Sequence, residues 1–151
     1  MIYRIVNSFF MGLAFVSLLD FLYFIGIKLN YFNVYGINEY FNILFIDNQN
    51  FYMLIIAAFV VGYLLLYSGF SKIFMRLYLL CIVVSALSLY EPVGKYFAQK
   101  EFMLENQSFQ VGHKKFQGDL LYQGRDFTYI YRKDLAKTVK ISNHDVINTT
   151  P

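Results

Sequence analysis

The stretch FYMLIIAAFVVGYLLLYSGF, residues 51–70, decides the fold because none of its twenty side chains is charged. An α-helix rises about 1.5 Å per residue, so a helix of this length spans the roughly 30 Å hydrocarbon core of a bilayer. Two further stretches resemble it, residues 5–27 with one acid and residues 73–90 with one base. The sequence therefore predicts an integral membrane protein with three transmembrane helices, at about 5–27, 51–67 and 72–90.

The composition of the 151 residues agrees with this fold class. Hydrophobic residues make up 58% and charged residues 15%, whereas soluble domains average about 45–50% apolar and about 25% charged residues. The net charge of +3 is spread along the chain, without the concentrated basic face that nucleic-acid binding needs. We therefore expect the lipid bilayer as a partner and no nucleic acid. Because Cys81 is the only cysteine, an intramolecular disulfide and a cysteine-based metal site are excluded.

Residues 28–50 are rich in tyrosine, phenylalanine and asparagine and are predicted to form an interfacial segment after the first helix. Tyrosine is enriched where hydrocarbon meets water, because its ring is apolar and its hydroxyl is hydrated. Residues 38–46 are too few to cross a bilayer and are typical of a short helix that lies in the interface. Anchoring explains the aromatic side chains from Tyr31 to Phe45, and a bound quinone or lipid is the alternative. The sequence indicates no cofactor.

The composition changes after Pro92, where the residue before proline disfavours a continued helix. Alternating side chains in residues 127–132 and 138–142 indicate strands. Gly124-Arg125-Asp126 supplies the chemistry of a hairpin turn. We predict a transmembrane domain over residues 1–92 and a small β-rich module over residues 93–151. This module is expected to be an antiparallel sheet or a compact SH3-like barrel of three to five short strands.

The distribution of basic residues predicts the orientation. Arg4, Lys72 and Arg76 lie at one end of the predicted helices, whereas Lys28 is the only base in the first loop, beside Glu39 and Asp47. Basic residues near the ends of membrane spans stay in the cytoplasm. We therefore expect a bacterial inner-membrane protein by default, with a cytoplasmic N-terminus and an extracytoplasmic β-rich module.

Asp20 is the most informative polar residue because it lies inside the first predicted helix. A carboxylate at the centre of a span costs roughly 2.5–3.5 kcal/mol on insertion scales. Ser17 shares its helical face, and Ser85 lies at a similar depth on the third helix. We predict an intramembrane polar cluster of Asp20, Ser17 and Ser85. It could act as a proton or cation relay or contact a partner subunit, or it could be a hydrogen-bonded contact between helices.

Other patterns favour structural roles. Small residues at Ser8, Gly12, Ala57, Ala58 and Gly62 allow helices to approach closely, either in a dimer or within the bundle. The two histidines, His113 and His144, lie far apart without a metal-binding spacing. We therefore predict no catalytic, cofactor-binding or metal-binding residues.

Three functions compete at this stage. The first is a non-enzymatic accessory or assembly subunit of a larger membrane complex, which fits the small size and the module beside the membrane. The second is an oligomeric component of an ion or small-solute transport system that uses Asp20. The third, an enzyme acting on lipid-borne substrates, ranks last because no catalytic residues can be named. The expected protein partner is a foreign subunit in the first case and a second copy of the chain in the second.

Overall fold

The computed structural model describes residues 2–112 and 114–148, which form a helical part followed by a sheet. The helices are α1 (Ile2–Ile27), α2 (Phe41–Asp47), α3 (Phe51–Leu66), α4 (Ser71–Ala86) and α5 (Glu91–Phe102). A π-helical turn, Lys28–Phe32, continues α1, and a 3-10 turn, Leu87–Leu89, continues α4. The strands are β1 (Leu104–Val111), β2 (Lys114–Gln123), β3 (Phe127–Arg132), β4 (Lys137–Ser142) and β5 (Val146–Asn148).

Two of these helices are long and apolar enough to cross a membrane, namely Ile2–Phe32 and Ser71–Leu89. The 16-residue helix α3 meets α2 at an angle of 83°, and this bent pair makes a third candidate span when it is counted as one. The sequence predicted three transmembrane helices, and the structure confirms two or three helices that are apolar enough to span a membrane.

Helices α1 and α3 are antiparallel and touch through their backbones. A Cβ atom added at Gly12 would overlap the Ala58 carbonyl, and one added at Gly62 would overlap the Ser8 carbonyl. Ser8, Gly12, Ala58 and Gly62 are all buried. These small residues therefore pack within the chain. We call this contact the glycine seam.

The sheet is antiparallel, with the strand order β4-β3-β2-β1-β5. Gly124 closes the β2–β3 hairpin, donating its N–H to the Phe127 carbonyl at 2.9 Å. Asp119 pairs with Tyr131 in this hairpin, and Phe109 pairs with Phe116 between β1 and β2. The predicted antiparallel sheet at the carboxyl-terminal end is confirmed. In the described ranges the outer strands β4 and β5 do not pair with each other.

The two faces of the sheet have separate cores. On one face, Leu121, Tyr122 and Tyr129 pack against buried residues of the helical part, and we call this the aromatic core. Its helical members are Ile27, Tyr31, Phe32, Ile37, Leu44 and Ala98. On the other face, Phe109, Leu120 and Ile130 form a smaller cluster. This division follows from strand geometry, because neighbouring residues such as Tyr129 and Ile130 point to opposite faces. A register shift between Leu120 and Tyr122 interrupts the alternation in β2, so Leu121 and Tyr122 both belong to the aromatic core.

The first helix extends further than the sequence predicts. It continues past Ile27 through the π-helical turn, where Tyr31 and Phe32 are both 0% exposed in the aromatic core. Lys28 does not end the helix, because its ammonium donates to the carbonyls of Ile37 and Glu39 at 3.2 and 2.9 Å. Tyr31 and Phe32 are thus interior side chains and cannot reach a bilayer surface as anchors.

Candidate functional site

The register of the glycine seam places Asp20 opposite the start of α3. Ser8 contacts Gly62 and Gly12 contacts Ala58, so the residue numbers of each pair have the same sum, as expected for antiparallel helices. The same register brings Asp20 to Asn50, the residue that caps α3 by accepting the Met53 N–H at 3.1 Å. Asp20 therefore lies at the level where α3 begins.

A cavity of about 340 Å³ surrounds Asp20 at this level. Its polar lining comes from α1, from the α2–α3 bend and from the end of α5: Asp20, Tyr23, Asn48, Gln49, Asn50 and Glu101. Gln49 lines this cavity beside Asp20, and the Tyr23 hydroxyl donates to Glu101 at 2.8 Å. Asp20 and the start of α3 therefore line the same cavity.

The other two members of the predicted cluster lie elsewhere. In the part of the chain that the structure describes, neither Ser17 nor Ser85 lines the cavity around Asp20. The Ser85 carbonyl instead accepts a hydrogen bond from the Ser88 hydroxyl at 2.7 Å. Asp20 and Ser85 were predicted to be close because they lie at a similar predicted depth in the membrane. Membrane depth does not specify which face of α1 each neighbouring helix contacts.

Ser88 marks the face of α1 that the end of α4 contacts. Its hydroxyl also lies 3.3 Å from the Leu22 carbonyl, and its own carbonyl accepts the Asn30 amide at 2.8 Å. A Cβ atom at Gly26 or Gly94 would overlap Ser88. This junction fixes α1, α4 and α5 together directly below the aromatic core.

Two polar links join the sheet to residues 37–50. In the first, Glu39 accepts the Tyr129 hydroxyl at 2.5 Å and the Lys140 ammonium at 3.2 Å. Burial, reinforced by the bond to Glu39, raises the pKa of the Tyr129 hydroxyl above its usual range. The pKa of Lys140 is also raised, chiefly by its interaction with Tyr129 and then by Glu39.

The second link joins Asp47, at the end of α2, to Arg125 in the β2–β3 turn by an ion pair. Asp47 is largely buried, whereas the Arg125 side chain is exposed. Burial raises the pKa of the adjacent Tyr122 hydroxyl, and the charge of Asp47 adds to this effect. Both links tie the sheet to the segment before α3, so the sheet is held by polar contacts at its margin as well as by its aromatic core.

The side chains that could bind a metal ion are dispersed over the described part of the chain. Across residues 2–112 and 114–148, no three His, Cys, Asp or Glu side chains converge on one point. His144 is exposed in the turn after β4, and His113 lies outside the described residues. Cys81 is exposed on α4.

Comparisons with protein-family models, with curated proteins and with solved structures found no match to this chain.

Sequence reasoning missed Tyr23, Gln49 and Glu101 as neighbours of Asp20. The small residues Ser8 and Gly62 could have predicted part of these surroundings. Once they are paired in an antiparallel contact, the register of the two helices places Asp20 opposite the start of α3. Glu101 had no comparable signal, since its position depends on the fold of α5 around the junction at Ser88.

Proposed function

We propose that the chain is an integral membrane protein whose helices α1, α3 and α4 cross the bilayer. The support is the outward-facing surface of α3 and α4, which exposes large apolar side chains, among them Ile55, Ile56, Val60, Leu80, Val83 and Val84. Monomeric soluble proteins rarely expose contiguous apolar patches larger than a few hundred Å². In a bilayer, lipid would cover these side chains, so they would not be exposed to water.

We propose the orientation from the distribution of charge. Arg4 lies near the α3–α4 turn, with its guanidinium 5.7 Å from the centre of the Tyr67 ring. Lys72 and Arg76 follow in the first turns of α4. Basic residues at span ends favour the cytoplasmic side, which supports a cytoplasmic N-terminus and a sheet outside the cytoplasm.

In this membrane setting, we propose a non-enzymatic accessory or assembly subunit that presents the sheet as a docking module at a fixed height above the bilayer. One observation carries this proposal: the aromatic core is continuous from Ile27 and Tyr31 at the end of α1 to Leu121 and Tyr129 in the sheet. The Tyr31 hydroxyl also donates to the Leu121 carbonyl at 3.0 Å, the distance of an ordinary hydrogen bond. A sheet joined in this way cannot move independently of the helices.

We also propose that the sheet curls towards an SH3-like barrel. The small cluster of Phe109, Leu120 and Ile130 supports this, because curvature is the simplest way for a single sheet face to bury its own side chains.

The test is the mass and composition of the protein solubilised from its own membranes in mild detergent. The accessory role predicts co-purification of foreign subunits in fixed stoichiometry. An Asp20→Asn variant serves as the matched control, because it should leave the complex intact. Recovery of the chain only as a monomer or a symmetric homo-oligomer would contradict the accessory role.

A second candidate function, transport of a proton or cation, is favoured by the cavity that brings Asp20 together with Tyr23 and Glu101. Its test is ion flux into liposomes that contain the purified protein. Transport through Asp20 predicts that Asp20→Asn abolishes the flux. Equal flux in the variant and the parent protein would reject this role.

A further inference from the structure

The sheet face opposite the aromatic core carries a groove of about 500 Å³. Apolar side chains from β1, β2 and β4 line it: Val111, Phe116, Val139 and Ile141. Phe116 and Ile141 pack on the small cluster beneath, where Phe109 is 1% exposed and Ile130 is 0% exposed. The floor of the groove is therefore formed by side chains that are packed against the sheet.

Three cationic residues border this groove, namely Lys114, Lys115 and Arg132. Lys114 shares the face of Phe116, whereas strand alternation turns the Lys115 side chain to the opposite face. The Arg132 guanidinium lies 5.0 Å from the centre of the Phe116 ring and pairs with Asp134 on the adjacent turn. Lys114 and Lys115 are exposed, and among the residues that the structure describes neither has a carboxylate within ion-pair distance. The groove thus combines an apolar floor with an excess of positive charge.

We propose that this groove binds a segment of a partner protein that presents acidic side chains beside apolar ones. The inference rests on the proposed accessory function and names the chemistry of the partner. Acidic side chains would pair with Lys114, while apolar side chains would cover Phe116, Val139 and Ile141. Complementary charge gives such an interface its specificity and its rate of association.

The position of the groove favours a protein segment over a lipid headgroup. The opposite face of the sheet, through Leu121 and Tyr129, packs on α5 and on the residues that follow α1. The groove therefore opens on the side of the sheet away from this contact with the helical part. A bilayer surface would instead meet the helical part first.

Photo-crosslinking in native membranes tests the inference with the full chain. A photoactivatable p-benzoyl-phenylalanine replaces Phe116 in the groove or, as a matched control, the exposed Tyr96 on α5. The inference predicts a protein crosslink from position 116, and the mapped partner peptide contains aspartate or glutamate next to apolar residues. The Lys114→Glu variant should lower the yield by roughly tenfold or more, because like charges across an interface oppose binding. Lys115→Glu, on the opposite face of the strand, is the matched control and should leave the yield unchanged, and Lys114→Arg should retain the crosslink.

Several results would overturn the inference. These are a crosslink to lipid only, a partner peptide without acidic residues, or a yield that charge reversal at Lys114 does not change. Because Lys114 and Lys115 are exposed, the charge-reversed chain is expected to keep its thermal midpoint, which is measured in parallel. If foreign subunits co-purify but position 116 stays uncrosslinked, this inference fails and the accessory function stands. If no foreign subunit co-purifies, the accessory function itself fails.

Discussion

The glycine seam and the aromatic core hold the same helix, α1, by different means. In the seam, Gly12 and Gly62 let the backbones of α1 and α3 touch, and little side-chain area is available to bury. In the aromatic core, Tyr31 and Phe32 of the same continuous helix are fully buried against the sheet.

In the proposed membrane setting, the surrounding medium accounts for this difference. Apolar side chains gain little by leaving lipid for a helix interface, so helices in a bilayer associate through close packing of small residues. Outside the bilayer, the hydrophobic effect favours burial of large apolar area by about 25 cal/mol per Å². On this proposal, the contrast between the Gly12–Gly62 contact and the buried Tyr31 and Phe32 is expected for a bilayer boundary that lies between them, near Asp20 where α3 begins.

The largest effect is expected in the aromatic core. Phe32→Ala removes a fully buried ring that contacts Phe102 and Tyr122, and such truncations cost about 3–5 kcal/mol. We expect the sheet to lose protection against hydrogen exchange while α1 and α3 keep theirs. Leu135→Ala, at an exposed position in the β3–β4 turn, is the control. Equal loss of protection in both regions would show that the core and the seam are not separate.

The next largest effect is expected in the seam. Gly62→Ala places a methyl group against the Ser8 carbonyl, and backbone cannot move aside as a side chain can. Overpacking of this kind typically costs about 1–3 kcal/mol. Gly69→Ala is the matched control, because open space surrounds that position. The measurement is denaturant-induced unfolding in detergent micelles, and equal midpoints for the two variants would contradict the close α1–α3 contact.

A smaller, pH-dependent effect is expected at Tyr129. Its pKa is raised in the folded protein, so the unfolded chain loses this proton first as pH rises. The resulting stabilisation is complete below a pH of about 10, the ordinary tyrosine value, and is lost as pH rises through the higher folded-state pKa. We therefore expect the sheet to become less stable above that pH, with a weaker alkaline dependence in Tyr129→Phe. An unchanged alkaline profile in this variant would rule out Tyr129 as its source.

The smallest effect is expected at the margin of the sheet. Arg125→Gln removes the ion pair with Asp47, and because the Arg125 side chain is 69% exposed, solvent screens most of this interaction. Exposed pairs contribute about 0.2–1 kcal/mol, and less at high salt. Thermal midpoints at low and high salt measure it, and a difference between variant and parent that grows with salt would argue against an electrostatic link.

The sequence predicted the elements whose patterns are local. Uncharged runs identified the helices, and alternation around Gly124 identified the β2–β3 hairpin. It did not predict that α1 continues through Lys28 to Phe32, because polar residues suggested an end to the helix. Those polar groups are satisfied by distant partners, such as the carbonyls of Ile37 and Ser88. The surroundings of Asp20 were missed for the same reason, since Gln49 and Glu101 reach it only through the tertiary fold.

The most direct test of the central claim compares two positions that are almost equally exposed but are assigned to different solvents. Leu80 on α4 is 58% exposed and Leu135 in the sheet is 56% exposed. In a Cys81→Ser background, a cysteine is introduced at position 80 or 135 and carries a nitroxide label. The labelled protein is reconstituted in lipid nanodiscs, and the collision rates of the label with oxygen and with a water-soluble nickel complex are measured. A membrane-spanning α4 predicts that the label at position 80 meets oxygen and excludes nickel, whereas the label at position 135 meets nickel freely. Equal nickel access at both positions would contradict the membrane assignment on which the proposed function depends.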